Sequence, residues 1–265
     1  MYEMTDPVTL ETKAPQVLSF FGAGSPYLRT GWHMRLRAEV VQTLAGKNCH
    51  GRVLDLGCGD GSISRKFLGN GNHITLLDFS AAMLERAAAH IPHECLPETE
   101  FIQANLLEHR FTSQYDLVLC VGVLAHVDDV RQTMTLVSAL TKTSGRCIIQ
   151  LTDCGQWSTK LLLFWESLVD FILHRRTYQT NHTNLNAIRG MAEASGLQLR
   201  ECYRYSLLLP GMGFLPDTLL YKWQNFTLRH PLIGRFGTEL IASFDKPVTR
   251  SMPEHNPLPA RSQRG

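Results

Sequence analysis

The stretch Val53–Ser62, VLDLGCGDGS, places glycine at 57, 59 and 61, every second position, directly behind an aspartate that closes an apolar run. An acidic residue and D-x-G-x-G-x-G at the end of a strand, opening into a helix, makes a turn whose missing Cβ atoms let a ligand lie against main chain. Here the pattern is Asp55, Gly57, Gly59 and Gly61, with Cys58 between the first two glycines. The spacing differs from G-x-G-x-x-G, whose helix start approaches a pyrophosphate, and so favours a different nucleotide. Read without a ligand, the same glycines describe a tight strand-to-helix connection.

Outward from this turn, short β-rich runs alternate with helical ones. RVLDL is followed by a helical stretch at 62–68, HITLLD by one at 81–91, EFIQA by YDLVLC, and Val130–Leu140 by RCIIQL. Runs such as LVLC and CIIQL are apolar throughout, as strands buried on both faces of a parallel sheet require, and right-handed crossovers then place helices on both sides. Before the first strand, Leu36, Val40, Val41 and Leu44 recur at helical spacing, with Gly46 as a C-terminal cap. Later come an apolar helix at 157–173, an amphipathic helix through Leu185, Ile188, Met191 and Ala192 stopped by Gly196, a strand at 197–205, and a last strand, GTELIASF. The segment 206–236 is apolar and aromatic but broken by Pro210, Gly211, Gly213 and Pro216, and reads as a loop with a short helix. The prediction is α/β: a doubly wound, mostly parallel seven-stranded sheet with an N-terminal lid and an apolar cap insertion before the last strand. One domain over 1–245 accounts for this, as lid and helices at 1–46, a turn-bearing half at 51–155 and a second half at 156–245. From Lys246 the tail holds four prolines and is expected to be disordered.

Formal net charge is +2, which gives no global argument for a polyanionic partner, and no basic-aromatic stripe is evident; nucleic acid is not expected. Seven cysteines, none in a CxxC pair, several within apolar runs, fit a reducing compartment, so a cytoplasmic location is expected. The first 30 residues carry no secretory or transit signature. Neither the histidines and acids nor the cysteines fall at metal-site spacing, and no metal is expected.

Four landmarks in order resemble the class I S-adenosylmethionine-dependent methyltransferases of small-molecule type, over roughly residues 50 to 155. The glycine turn is the first. The second is LLDFS, whose Asp78 stands 17 residues beyond Gly61, where doubly wound folds hold an acid against ribose hydroxyls; Phe79 follows, Ser80 reads as a helix N-cap, and Met83 falls where the family packs an apolar side chain beside adenine. In FIQANLLEH, Asn105 replaces the usual aspartate that meets the adenine amino group, with Leu106 supplying an amide and an apolar surface; a turn-forming asparagine is the alternative. In YDLVLCVGVLAHVDD, Asp116 starts the strand, Cys120, Val121 and Gly122 are expected beside the sulfonium, and His126 one turn later near the mouth, either as a base or as a histidine that hydrogen-bonds its own backbone.

The resemblance implies methyl transfer to an O or N atom of a small, apolar or aromatic acceptor, with S-adenosylhomocysteine as the other product. Methylation of tRNA, non-methyl chemistry on the same cofactor, or binding without turnover are the competing readings. Candidate bases are His126 and His33, with Tyr27 and Trp32 as aromatic members of a lid facing the cation and His182 as a further polar candidate. Trp157, Leu161, Phe164, Trp165, Leu168 and Ile172 are expected to roof the acceptor pocket. Phe214, Leu215, Leu219, Leu220 and Trp223, with Lys222, Arg229 and Arg235, suit a hydrophobic acceptor, a homodimer contact or peripheral membrane attachment.

Overall fold

The computed structural model describes residues 31–46, 49–172, 181, 183–208, 212 and 215–248, without the side chains of 166 and 168–172. Tyr27, His182, Pro210, Gly211, Gly213, Phe214 and the tail beyond 248 lie outside the described residues.

Seven strands form one sheet in the order β3-β2-β1-β4-β5-β7-β6. They are β1 Arg52–Leu56, β2 His73–Asp78, β3 Thr99–Gln103, β4 Tyr115–Cys120, β5 Thr141–Thr152, β6 Gln198–Tyr205 and β7 Glu239–Asp245. β1 pairs in parallel with β2 and β4, and β2 with β3 and β4 with β5 likewise, whereas β7 runs antiparallel to both β5 and β6. The order reverses between β1 and β4, the switch point at whose carboxyl edge such sheets open a crevice.

Strand alternation divides the apolar side chains between two cores. On one face Val53, Ile74, Leu76, Leu117, Leu119, Ile148 and Ile241 meet α1 (Gly31–Ala45) and α2 (Ala81–His90). On the other, Leu54, Leu56, Val118, Cys120, Ile149 and Phe244 meet α3 (Val130–Leu140) and α5 (Leu185–Ala194). This is why the central strands read as continuously apolar.

Gly46, at φ 86°, closes α1 with its amide to the carbonyls of Gln42 and Thr43, and Gly196, at φ 83°, ends α5. Three expectations change. The helix at 62–68 shrinks to a 3₁₀ turn, Ser64–Phe67, because Gly69, Asn70 and Gly71 all sit at positive φ immediately beyond it. The 206–236 segment builds a 13-residue helix, α6 (Asp217–Arg229), then α7 (Pro231–Gly234). Its breakers all lie at or before Pro216, so nothing interrupts the 217–229 run, and Leu220, Gln224 and Thr227 form its buried face. Lys246 is anchored, its Nζ donating to the carbonyls of Ser138 at 2.7 Å and Thr141 at 3.0 Å, so any tail begins later than expected. The remaining long helix, α4 (Trp157–Ile172), follows β5.

Candidate cofactor and acceptor site

The turn after β1 is bound to the end of β2: the amides of Gly57 and Cys58 both donate to the Leu77 carbonyl, at 2.7 and 3.0 Å. All three glycines have positive φ, at 67°, 56° and 71°, which L side chains adopt only with strain. Their surroundings differ. A Cβ on Gly57 would stand 2.6 Å from Val123 Cγ2, and one on Gly61 would stand 3.2 Å from Ala87 Cβ, so these two are bare to let the 121–127 loop and α2 pack close. A Cβ on Gly59 would meet no protein atom within 4 Å. Gly59 borders a cavity of about 500 Å³, large enough for a cofactor-sized ligand.

Asp55, Gly57, Cys58, Gly59, Asp78, Phe79, Met83, Asn105, Leu106, Val121 and His126 all line this cavity. Two of the expected cofactor contacts do not. Gly61 is buried beneath it against α2, and Cys120 is fully buried in the opposite core, because strand alternation turns Cys120 the same way as Val118 while Leu119 and Val121 turn toward the crevice face.

Asp55 is the most perturbed carboxylate in the site. Burial raises its pKa from 3.8 to about 7, against a hydrogen bond from Ser64, and the charges of Asp78 and Asp60 push the same way. Its Oδ2 meets no hydrogen-bond donor among the described residues. A buried, cavity-lining carboxylate oxygen without a donor fits a ligand that brings a cationic or N–H group.

Asp78 has structural duties besides any ligand. Its Oδ2 accepts from the Gly59 amide at 2.8 Å and its Oδ1 from the Ser80 amide at 2.8 Å. Burial nonetheless holds its pKa above the usual carboxylate value, outweighing the bonds from Ser80, Gly59 and Phe79. Each carboxylate oxygen has a second lone pair, so a diol can still be accepted. Ser80 occupies the N-cap position of α2, but its side chain makes no capping bond; the Asp78 carboxylate takes its amide instead. Asn105 forms the local turn, its Oδ1 accepting from the Leu107 amide at 3.1 Å while its Nδ2 donates to Glu108 at 2.9 Å.

His33 departs furthest from expectation. It does not line the cavity: its ring packs edge-on against Trp32 and tilted against Tyr205, and its Nδ1 accepts from Arg37 Nη2 at 3.3 Å. Burial and then the Arg37 charge drive its pKa down to about 3, which leaves the ring neutral and a weak base near neutral pH. Trp32 is likewise core, not lid. The wall that α1 presents to the cavity is Gly31, Met34, Arg35, Arg37 and Ala38, and Arg37 is fixed there by donating to Tyr205 Oη at 3.2 Å. Among the described side chains, none at 157–165 or 215–236 lines the cavity, so Trp157, Leu161, Phe164 and Trp165 do not form the expected aromatic roof, and those of Leu168 and Ile172 lie outside the described ones.

His126 sits in the loop after β4, its amide donating to the Val123 carbonyl at 2.8 Å. Asn181 fastens that loop: its amide donates to the Ala125 carbonyl at 2.8 Å, and its Nδ2 to the carbonyls of Leu124 at 3.0 Å and Val127 at 2.6 Å. The sequence drew attention to its neighbour His182; nothing local announces Asn181, whose partners lie 54 to 57 residues away.

The chain is similar to known proteins in sequence and fold. The family described as "Methyltransferase domain" matches residues 54–147. The ubiquinone biosynthesis O-methyltransferase of Aromatoleum aromaticum is 32% identical over 187 residues, 69% of this chain and 75% of that protein. Its namesake in Bordetella avium is 27% identical over 194 residues, 72% of this chain and 78% of the other. Among solved structures, the Burkholderia thailandensis 1,6-didemethyltoxoflavin-N1-methyltransferase, with bound 1,6-didemethyltoxoflavin and S-adenosylhomocysteine, superposes with a TM-score of 0.60 at 16% identity, over 94% of this chain and 93% of that one. Synechocystis magnesium protoporphyrin IX methyltransferase, with bound S-adenosylhomocysteine, gives 0.60 at 18% identity over 88% and 93%. With 32% of the aligned positions identical over 75% of an O-methyltransferase, and a glycine turn at the switch point of a seven-stranded sheet, this chain belongs to the class I S-adenosylmethionine-dependent methyltransferases.

Proposed function

We propose that this methyltransferase transfers its methyl group to a hydroxyl oxygen of a small, hydrophobic, aromatic acceptor. The observation that carries the reading is the cavity itself, which the Asp55–Gly59–Asp78 cradle lines together with the apolar side chains of Met34, Ala38, Val121, Val123 and Val127, the cations Arg35 and Arg37, and His126. The O-methyltransferase activity for which the relatives are named favours oxygen over nitrogen. N-methylation remains the second reading because one superposing structure is an N-methyltransferase.

In this reading Asp55 receives the cationic amino group of the cofactor, the open face of Gly59 lies under it, Asp78 accepts from its ribose, and Phe79, Met83 and Leu106 flank its base with Asn105. Bound S-adenosylmethionine supplies a methyl group already activated by a sulfonium. The chain then has to hold the acceptor oxygen in line with that methyl, about 3 to 3.5 Å away, and keep water out. A hydroxyl of high pKa also needs somewhere to send its proton, and we assign that task to His126, held at the cavity by the loop that Asn181 fastens. His33 has no part in the chemistry. The same reading keeps 1–245 as one domain.

The test incubates the purified protein with S-adenosylmethionine and paired panels of alkyl-substituted catechols and aryl amines, reading products by mass spectrometry. Methyl ethers and S-adenosylhomocysteine in equal amounts are expected, with turnover rising as the alkyl group lengthens. Methylthioadenosine, or methylation confined to the amines, would overturn the reading. His126→Gln is expected to lower kcat by about 10²-fold or more at unchanged cofactor Kd, the usual worth of a positioned base.

A further inference from the structure

α4 does not behave like an ordinary surface helix. Trp157, Leu161, Phe164 and Trp165, at i, i+4, i+7 and i+8, fall on one helical face, and that face points to solvent: Trp157 is 61% exposed and Phe164 65%. Thr159, on the other side, is fully buried. The normal arrangement of an amphipathic helix is reversed. The patch continues beyond α4. Trp157 packs on Phe236 with ring centroids 5.6 Å apart, and Gln156 Nε2 donates to the Arg235 carbonyl at 2.8 Å. From there it runs through Leu232, 75% exposed, to Phe226 and Leu219 on α6.

The charge at this face is predominantly positive. Among the side chains at 157–165 and 215–236, Lys160, Lys222, Arg229 and Arg235 are exposed cations, and Asp217 is the only acid. The acids of α4, Glu166 and Asp170, fall in its C-terminal half, beyond the aromatic group. We propose that this face docks on the surface of an anionic phospholipid bilayer, with the aromatic and aliphatic side chains in the interfacial region and the cations at the headgroups. Tryptophan suits that boundary because one end of its ring is apolar and the other polar, and lysine and arginine can lay their stems along apolar matter while their charges stay at the headgroups.

A second copy of the chain is the competing occupant. A two-fold contact would set the same patch against itself and bring Lys160, Lys222, Arg229 and Arg235 of both copies together, with only Asp217 on each side to oppose them. An anionic surface has the complementary sign. No helix among the described residues is long and apolar enough to cross a membrane, so the attachment is interfacial.

Topology makes the attachment useful. α4 leaves the carboxyl end of β5, on the same rim of the sheet as the cavity, and the chain returns from it to Asn181, which grips the loop carrying His126.

The test is flotation of the full chain with vesicles of phosphatidylcholine alone or mixed with phosphatidylglycerol, together with tryptophan emission, neither of which needs cofactor or acceptor. Binding to the mixed vesicles is expected at low salt, with a blue shift, and is expected to weaken as salt rises. Lys160→Glu/Lys222→Glu should lower the partition coefficient at least about tenfold. Phe164→Glu/Trp165→Glu should abolish flotation at an unchanged unfolding midpoint, since both side chains are exposed. Absence of flotation with anionic vesicles would overturn the proposal, as would equal binding by the Phe164→Glu/Trp165→Glu variant. So would a concentration-dependent dimer, dissolved by those substitutions, in a protein that ignores lipid. Failure of the methylation assay leaves all of these readouts intact.

Discussion

Replacing Asp55 with asparagine separates what this carboxylate costs the fold from what it does for the cofactor. In the unfolded chain the group ionises near 3.8; in the folded protein burial moves it to about 7. Below pH 4 both states are protonated, and the group is neutral to stability. As pH rises from 4 to 7 the unfolded state releases its proton and the folded state does not, so stability falls by about 1.4 kcal/mol for each unit of displacement. Above pH 7 the loss is complete, at roughly 4 kcal/mol for a displacement of this size. The sign is opposite to that of a salt-bridged aspartate, which would lose stability as pH falls.

Asparagine keeps the shape and carries no charge, so Asp55→Asn should unfold at the same temperature as the parent at pH 4 and progressively higher between pH 4 and 7. At pH 8 the difference should be roughly 10 °C, taking 2 to 4 °C per kcal/mol for a domain of this size. Scanning calorimetry of both proteins without cofactor reads this directly. Added S-adenosylmethionine should reverse the order, stabilising the parent strongly at pH 8 and the variant little, because a ligand's cation meets a carboxylate only in the parent. In the parent, cofactor affinity should fall as pH drops below 7. A difference in unfolding temperature that is flat between pH 4 and 8 would refute the reasoning, since it would place Asp55 where its ionisation costs nothing.

The three glycines should fail differently. Gly59→Ala adds a Cβ to open space at φ 56°, so it should cost the fold only about 1 to 2 kcal/mol while weakening cofactor binding by calorimetry; Gly57→Ala drives a Cβ into Val123 and should destabilise the apoprotein more. Equal stability losses in the two variants would contradict this division. Asn181→Ala removes the bonds to Leu124 and Val127 and should lower kcat by tenfold or more with cofactor Kd unchanged, and Asn181→Asp should not restore it because a carboxylate cannot donate to those carbonyls.

What could be read from the sequence follows from how local its cause is. The D-x-G-x-G-x-G turn is legible because backbone conformation and the missing Cβ are properties of the glycines themselves, although their separate tasks are not, since Val123 and Ala87 arrive from distant elements. The central strands are legible because burial on two faces makes them apolar nearly throughout, whereas the edge strands β3 and β6 are only partly buried. Cys120 could have been placed: carrying the two-residue period through β4 assigns it with Val118, away from Val121. His33 could not. Its lowered pKa comes first from burial and then from Arg37, whose own position is set by Tyr205 Oη, 168 residues away on β6.

The apolar stretches show the same limit from the other direction. Hydrophobicity at Trp157, Phe164 and Trp165 is consistent with a roofed pocket, a packed helix or an outward face, because composition records that water is disfavoured and not what replaces it. The structure turns these residues outward and gives the cavity its apolar wall from α1 and the 121–127 loop. Under the two proposals made above, the two apolar surfaces serve one reaction in different ways: the cavity lining selects the acceptor once it has entered, and the outer face sets where the enzyme meets it. The first should govern KM for a short, water-soluble acceptor in solution. The second should leave that KM unchanged and lower the apparent KM only for long-chain acceptors presented in anionic vesicles, an advantage that Phe164→Glu/Trp165→Glu should erase while sparing turnover of the soluble one.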